Sequence, residues 1–286
     1  MQRGTVEIVL VAAVAHAIWN LASKYKRGDT LLFVWAYTGT SALLCVPLCV
    51  TPVITGQQVL DWRLALGAAV SAVLHIAYSL ILQVGYDRAE LGVVYPVARG
   101  TGPLLTMLFA VLLLGERLTA LAMLGAFLII AGILVVTGNP FRRARHHPLQ
   151  GVLWGAATGA TIAGYTLWDS YSLTSLHLAP VSYYTGTLLL QGVLLTPSAL
   201  RRRHQIPSAI RTNATPILTV AVLSPLAYIL VLSAMQVAPV ALVAPLRESS
   251  IVIGSLLACM LFHEGQLARR IAGAVVVLIG IIAVGL

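Results

Sequence analysis

The tetrapeptide "YTGT" at residues 37–40 returns at residues 184–187, a separation of 147. One shared tetrapeptide is roughly what chance supplies in a chain this long. The deciding question is whether other residues return at the same distance. At a shift of 148, Arg99 falls on Arg247, Glu116 on Glu264, Gly125 on Gly273 and Gly132 on Gly280. At 149, Trp19-Asn20 falls on Trp168-Asp169, and at 150, Ala77-Tyr78 falls on Ala227-Tyr228. Offsets held to 147–150, in order along both halves, mark a duplicated chain. The expected units are 1–140 and 141–286.

Each unit is built from apolar runs. Of 286 residues, 59% are hydrophobic and 9% charged, and the mean hydropathy is +0.91. A soluble domain carries about a quarter charged residues, so this chain cannot cover a water-facing surface. Ten runs are each long enough to cross a hydrocarbon core as a helix. They cover 6–23, 31–51, 64–84, 91–114, 118–138, 149–171, 180–199, 216–237, 240–262 and 267–286. The fold class expected is an all-α polytopic membrane protein, ten transmembrane helices in two five-helix repeats. Arg3 and "AHA" at 15–17 imitate a signal peptide. The match of the first run to the sixth favours its retention.

Five is odd, so the two repeats enter the membrane in opposite directions. Loops after runs one, three, five, seven and nine hold Lys24, Lys26 and Arg27; Arg88; Arg142, Arg143 and Arg145; Arg201, Arg202, Arg203 and Arg211; and Arg269 and Arg270. The other side holds Arg3, Arg63 and Arg117. By the positive-inside rule the basic side is cytoplasmic, and both termini are expected outside, in the plasma membrane. The same rule accounts for the net charge of +9 without nucleic acid as a partner. Inverted repeats suit a carrier, because one half rocking against the other gives alternating access to a midplane site.

Three stretches carry a resemblance to a known family: "HAIWN" at 16–20, "LGVVYPVARGTGPLLTMLFAVLLLGERLT" at 91–119 and "VAPLRESSIVIGSLLACMLFHEG" at 243–265. The chain resembles the ten-helix, EamA-type exporters of the drug/metabolite transporter superfamily. The apolar run ending in Gly-Glu is the family's most recognisable feature, and here it stands at Gly115-Glu116 and at His263-Glu264. The resemblance implies export of a small metabolite and leaves the substrate open. Small cation exporters of the superfamily share an acid midway along helix one. Here that helix offers Glu7 near its start and His16 and Asn20 deeper, which argues against a lipophilic cation.

Ionisable groups inside membrane spans face a cavity or a partner. Arg99, Asp169, Arg247 and Glu248 are such groups. An arginine cannot shed its charge, so each either grips a substrate carboxylate or phosphate or is neutralised internally, Arg247 by Asp169 or Glu248. "YPVARGTGP" at 95–103 and Pro245 before Arg247 suggest loosened helices in matching positions, a pointer to a transport site. His16, Asn20 and Lys24 share a helical face with Trp19 beside them, and Tyr165, Trp168 and Asp169 answer them in the second repeat. The expected substrate-binding residues are Trp19, Asn20, Tyr78, Tyr95, Arg99, Trp168, Asp169, Tyr228 and Arg247. The expected proton-coupling groups are Asp169, Glu248, His16 and His75. Glu116 and Glu264 read as structural helix-end residues.

Cys45, Cys49 and Cys259 all lie in apolar runs and imply neither disulfide nor metal. No metal motif, nucleophile elbow or phosphate loop is present, so an enzyme and a cofactor are not expected. The expected activity is export of a small polar metabolite, an amino acid or relative, in exchange for protons, by a monomer or homodimer. The alternatives are a multidrug exporter of lipophilic cations, and behind it a flippase of lipid-linked metabolites or a channel.

Overall fold

A computed structural model describes residues 3–23, 25–89, 91–137, 148–254 and 267–285. Lys24, the loop arginines 142, 143 and 145, Cys259, His263 and Glu264 lie outside the described residues. The described residues form helices joined by short connections: α1 (Arg3–Ser23), α2 (Thr30–Ile54), α3 (Trp62–Arg88), α4 (Leu91–Leu113), α5 (Ala120–Thr137), α6 (Pro148–Thr174), α7 (Pro180–Leu200), a short α8 (Ile206–Thr212), α9 (Ala214–Met235), α10 (Val240–Arg247) and α11 (Leu267–Gly285). Five of these are long and apolar enough to cross a membrane, α1, α2, most of α3 and α4, and α9. Their outer faces present large apolar side chains such as Leu43, Val73 and Leu112, as a lipid-facing surface requires. This is a multi-pass membrane protein.

Polar residues mark the helix starts. The Asp29 side chain accepts from the Leu32 amide and Asp61 from those of Arg63 and Leu64, filling two N-cap positions. Glu116 reaches further. Its two carboxylate oxygens accept the amides of Val240 at 2.7 Å and Ala241 at 3.0 Å, so the first half caps α10 of the second. Burial pushes the Glu116 carboxyl above the ordinary glutamate value, and the two amides pull it part of the way back.

The packing has an internal two-fold symmetry. α1 lies on α9 as α3 lies on α6, α4 lies on α6 as α10 lies on α1, and α2–α7 and α5–α11 are self-equivalent pairs. The last pair fixes the sense of the axis. A Cβ built on Gly125 would stand 2.7 Å from the Gly280 oxygen, and one on Gly280 would stand 2.7 Å from the Gly125 oxygen. Gly132 and Gly273 repeat this reciprocity, again at 2.7 Å. The later glycine of α5 meets the earlier one of α11, so the two helices run antiparallel and the axis lies across them. That is the internal symmetry of an inverted-repeat transporter.

The two arginine-bearing segments differ in backbone. α10 ends at Arg247, a turn occupies 248–249, and helical backbone resumes over 250–254. Around the turn the amides of Glu248, Ser249, Ile251 and Val252 bond three residues back, the tighter 3₁₀ pattern. α4, by contrast, runs unbroken through Arg99 despite its prolines and glycines. Matching breaks in both repeats are therefore not found. The α4 glycines serve close packing instead: a Cβ on Gly102 would press Ile162 of α6 at 3.0 Å, and one on Gly100 would press Leu134 of α5 at 3.3 Å. On α6, a Cβ on Gly151, Gly155 or Gly159 would stand 2.7–2.8 Å from Val93, Val97 or Thr101 in turn. This parallel seam fixes Arg99 relative to Tyr165 and Asp169.

Candidate functional site: a cavity between the halves

Between the halves lies a cavity of about 220 Å³. α1 contributes His16, Trp19 and Asn20, and α3 contributes His75 and Tyr78. Tyr165 of α6, Tyr184 and Gln191 of α7 and Tyr228 of α9 complete an aromatic and polar wall, with Arg99 and Arg247 exposed to it from α4 and α10. Lining residues Val34, Leu80 and Leu195 carry the cavity towards the ends of α2, α3 and α7 that join the loops bearing Arg27, Arg88 and Arg201. At the opposite end the halves are bonded together. Gln58 Oε1 accepts the Ala179 amide at 2.8 Å, and Glu116 caps α10. At the basic end, Asn213 brackets Arg27, accepting its amide at 2.8 Å and donating to its carbonyl at 2.9 Å, while Arg202 pairs with Asp29.

The two arginines share one acid. Arg99 Nη1 lies 2.9 Å from Glu248 Oε2, and Arg247 Nη2 lies 3.1 Å from Glu248 Oε1. The side chains are 14%, 5% and 2% exposed for Arg99, Arg247 and Glu248, so water contributes little to their neutralisation. The internal neutralisation expected for Arg247 is made by Glu248, not Asp169, and the same carboxylate serves Arg99. Arg99 also faces the Tyr95 ring at 5.4 Å and Arg247 the Tyr165 ring at 6.0 Å, each within cation–π range.

Asp169 is fully buried and belongs to a separate cluster. Ser71 Oγ donates to its Oδ1 at 2.8 Å and Tyr183 to the same oxygen at 2.6 Å, while the Tyr228 hydroxyl donates to Oδ2. Beside it His75 Nδ1 donates to the Ser71 carbonyl at 2.9 Å, and its ring stacks on Tyr165 at 4.2 Å. Tyr78 meets Tyr165 edge to face.

The residues expected to bind substrate thus fall into two groups. Trp19, Asn20, Tyr78, Arg99, Tyr228 and Arg247 line the cavity. Tyr95, Trp168 and Asp169 stand behind its wall, Trp168 with its indole N–H on the Gly67 carbonyl at 3.0 Å. Of the expected proton-coupling groups, His16 and His75 line the cavity, and Glu248 and Asp169 do not. The Trp19 indole nitrogen is buried with no partner. Sequence reading missed Ser71, Tyr183 and Gln191. The signal available was Ser71 and His75 at four-residue spacing on one face of α3, and Tyr183 next to the repeated tetrapeptide. Among the described residues no group of histidine, cysteine, aspartate or glutamate is placed to hold a metal.

Comparison with known proteins matches the EamA-like transporter family twice, over residues 5–138 and 149–286. The chain is also similar to a solved structure titled "Crystal structure of protein", at 17% identity and a TM-score of 0.78. That similarity covers 99% of this chain and 96% of the other and speaks for the fold.

Proposed function

This chain belongs to the EamA-like transporter family, whose members carry small molecules across membranes, and on that premise we propose that it exports a small anionic or zwitterionic metabolite, an amino acid or relative, in a proton-coupled cycle. In this reading residues 1–140 and 141–286 are two inverted five-helix repeats, together ten transmembrane helices. The basic loops face the cytoplasm and both termini lie outside. The cavity leads towards those loops, so it loads from the cell interior, as an exporter must.

The observation that carries the substrate class is the sharing of Glu248. Arg99, Arg247 and Glu248 sum to one positive charge, with both guanidiniums on the cavity and the carboxylate behind them. A single acidic group on the substrate completes that charge and takes bidentate bonds from a planar fork. A cavity of about 220 Å³ is smaller than the ~300–1,000 Å³ typical of drug sites, which favours an amino-acid-sized molecule. A lipophilic cation would meet the net positive charge of this cluster, while the remaining carboxylate, Asp169, is enclosed by three hydroxyl groups behind the wall.

The test is an untargeted profile of metabolites excreted by cells overexpressing the wild type or Arg247→Gln. Excess excretion of an acidic or zwitterionic metabolite by the wild type, lost in the variant, is expected. Resistance to quaternary ammonium compounds with an unchanged excretion profile would replace this reading with the multidrug one.

A further inference from the structure

We propose that Asp169 is the carboxylate that takes up and releases the coupling proton, with Tyr228 as its gate to the cavity. The inference rests on the proton-coupled carrier reading above and names the group within it. Glu248 is held in place by two guanidiniums, and protonating it would leave both without a counter-charge inside the protein. Asp169 is held differently. Among the described residues none forms an ion pair with it, and its oxygens are occupied by three hydroxyl groups alone. A hydroxyl can turn from donor to acceptor, so this cage accommodates either form of the acid. An arginine fork accommodates only the anion.

The cage is also confined to one repeat. Repeat equivalence places Asn20 where the second half has Asp169, Ala221 where the first has Ser71, and Ala36 where the second has Tyr183. The acid and two of its donors are therefore absent together from the equivalent place, so the symmetric packing does not require them. Tyr228 keeps its counterpart, Tyr78, and both line the cavity. Tyr228 is the one donor that touches both Asp169 and the cavity, and it stands edge to face with His75 at 5.6 Å.

The other groups facing the site are few. They are Ser71 and His75 on α3, Tyr183 and Tyr184 on α7, and Tyr165 on α6, with Arg247 of α10 reached through Tyr165. The charged group of α4, Arg99, is engaged by Glu248. Uptake forms one O–H bond on an Asp169 oxygen at the expense of a hydronium ion in the cavity. Tyr228 then ceases to donate to that carboxylate and becomes free to bond within the cavity. Release returns the proton to water and restores the three-donor cage.

The test needs no substrate. Infrared difference spectra of the purified protein in lipid nanodiscs are recorded against pH, following the carboxylic-acid carbonyl band. As pH falls the wild type is expected to gain one such band more than Asp169→Asn, in which Glu116 and the other carboxyls still titrate. Should Asp169→Asn fail to fold, Ser71→Ala and Tyr228→Phe each remove one donor to the anion while keeping the acid. Each should change the pH dependence of that band from the wild-type one, because one of three donors to the anion is gone. Spectra of the wild type and Asp169→Asn that titrate alike, or a titration unmoved from the wild-type one in both donor variants, would overturn the assignment. None of these outcomes bears on whether the excreted metabolite is acidic, so the two readings fail separately.

Discussion

Arg99 of the first half and Glu248 of the second are paired at 2.9 Å, and the other oxygen of Glu248 takes Arg247. One acid thus ties equivalent arginines of both repeats together at the cavity wall. Removing the acid strands two buried guanidiniums. Removing Arg247 leaves a complete Arg99–Glu248 pair. Glu248→Gln should cost about 3–5 kcal/mol of stability, and Arg247→Gln about 1 kcal/mol, near the worth of one hydrogen bond. Thermal unfolding in detergent reads both. Transport should show the reverse emphasis, because Arg247→Gln removes the net positive charge. Arg247→Lys keeps the charge without the fork and should insert normally while excreting less. Equal destabilisation by Glu248→Gln and Arg247→Gln would show that the acid is not shared.

The glycine pairs of α5 and α11 allow a test of the symmetry itself. Gly125 and Gly273 are repeat equivalents, and each sits against a backbone oxygen that a Cβ would meet at 2.7 Å. Gly125→Ala and Gly273→Ala should therefore each cost about 1–3 kcal/mol, and by similar amounts. Gly192, inside α7 with nothing within 4 Å of its would-be Cβ, is the control. Gly192→Ala should stay within about 1 kcal/mol of wild type. A large cost at one equivalent glycine and none at the other would break the reciprocity.

The same glycines show what the sequence conveyed. Gly125, Gly132, Gly273 and Gly280 recur at one offset, and the structure turns that recurrence into two backbone contacts about one axis. Apolar run length is a direct consequence of bilayer thickness, so the expected run 149–171 agrees with α6 (Pro148–Thr174) to within three residues at each end. Backbone continuity was not legible. Proline and glycine flank Arg99 as densely as proline precedes Arg247, yet α4 uses its glycines to approach Ile162 and Leu134, and only the second repeat turns at its charged residue. The pairings were not legible either. Asp169 and Glu248 both read as buried acids near arginines, and three-dimensional packing alone decides that one meets guanidiniums and the other hydroxyls. Ser71 and Tyr183 pass for packing residues on their helices until Asp169 is brought between them.

Glu116 gives a pH signature with a defined sign. Its folded pKa is raised above the ordinary value of 4.5, so the native state holds the proton more tightly than the unfolded chain. The stabilisation it contributes is fully present below that ordinary value and is lost as pH rises through the raised one. Glu116→Gln removes the titration and still offers an oxygen to the amides of Val240 and Ala241. Melting temperatures measured over a pH series should show the wild type losing ground to Glu116→Gln as the solution goes from acid to neutral. Glu116→Ala leaves both amides without an acceptor and should cost about 1–3 kcal/mol for each that stays buried. A wild-type-to-Gln difference that is flat in pH would mean that the carboxyl is not desolvated.

Gln58 and Asn213 hold the two ends of the cavity, and weakening one should favour opening at its own end. Gln58 is 4% exposed, accepts the Ala179 amide from the other half, and lies at the end away from the basic loops. Asn213 bonds both the amide and the carbonyl of Arg27 at the basic end. A carrier that exposes its site on each side in turn must break the Gln58 contact in one state and the Asn213 contact in the other. One hydrogen bond is worth about 1 kcal/mol, so its loss should shift the populations about five-fold. The reporter is Ser182→Cys, two turns or less from Ala179 on α7, in a background whose three native cysteines are replaced. Ser182 is 4% exposed, so its labelling by an impermeant maleimide reads opening rather than surface access. In the proposed orientation, labelling from outside the cell should rise several-fold with Gln58→Ala and fall, or stay at the wild-type level, with Asn213→Ala. A rise of the same size with both variants would show general loosening of the fold, and the two amides would then be packing residues rather than latches.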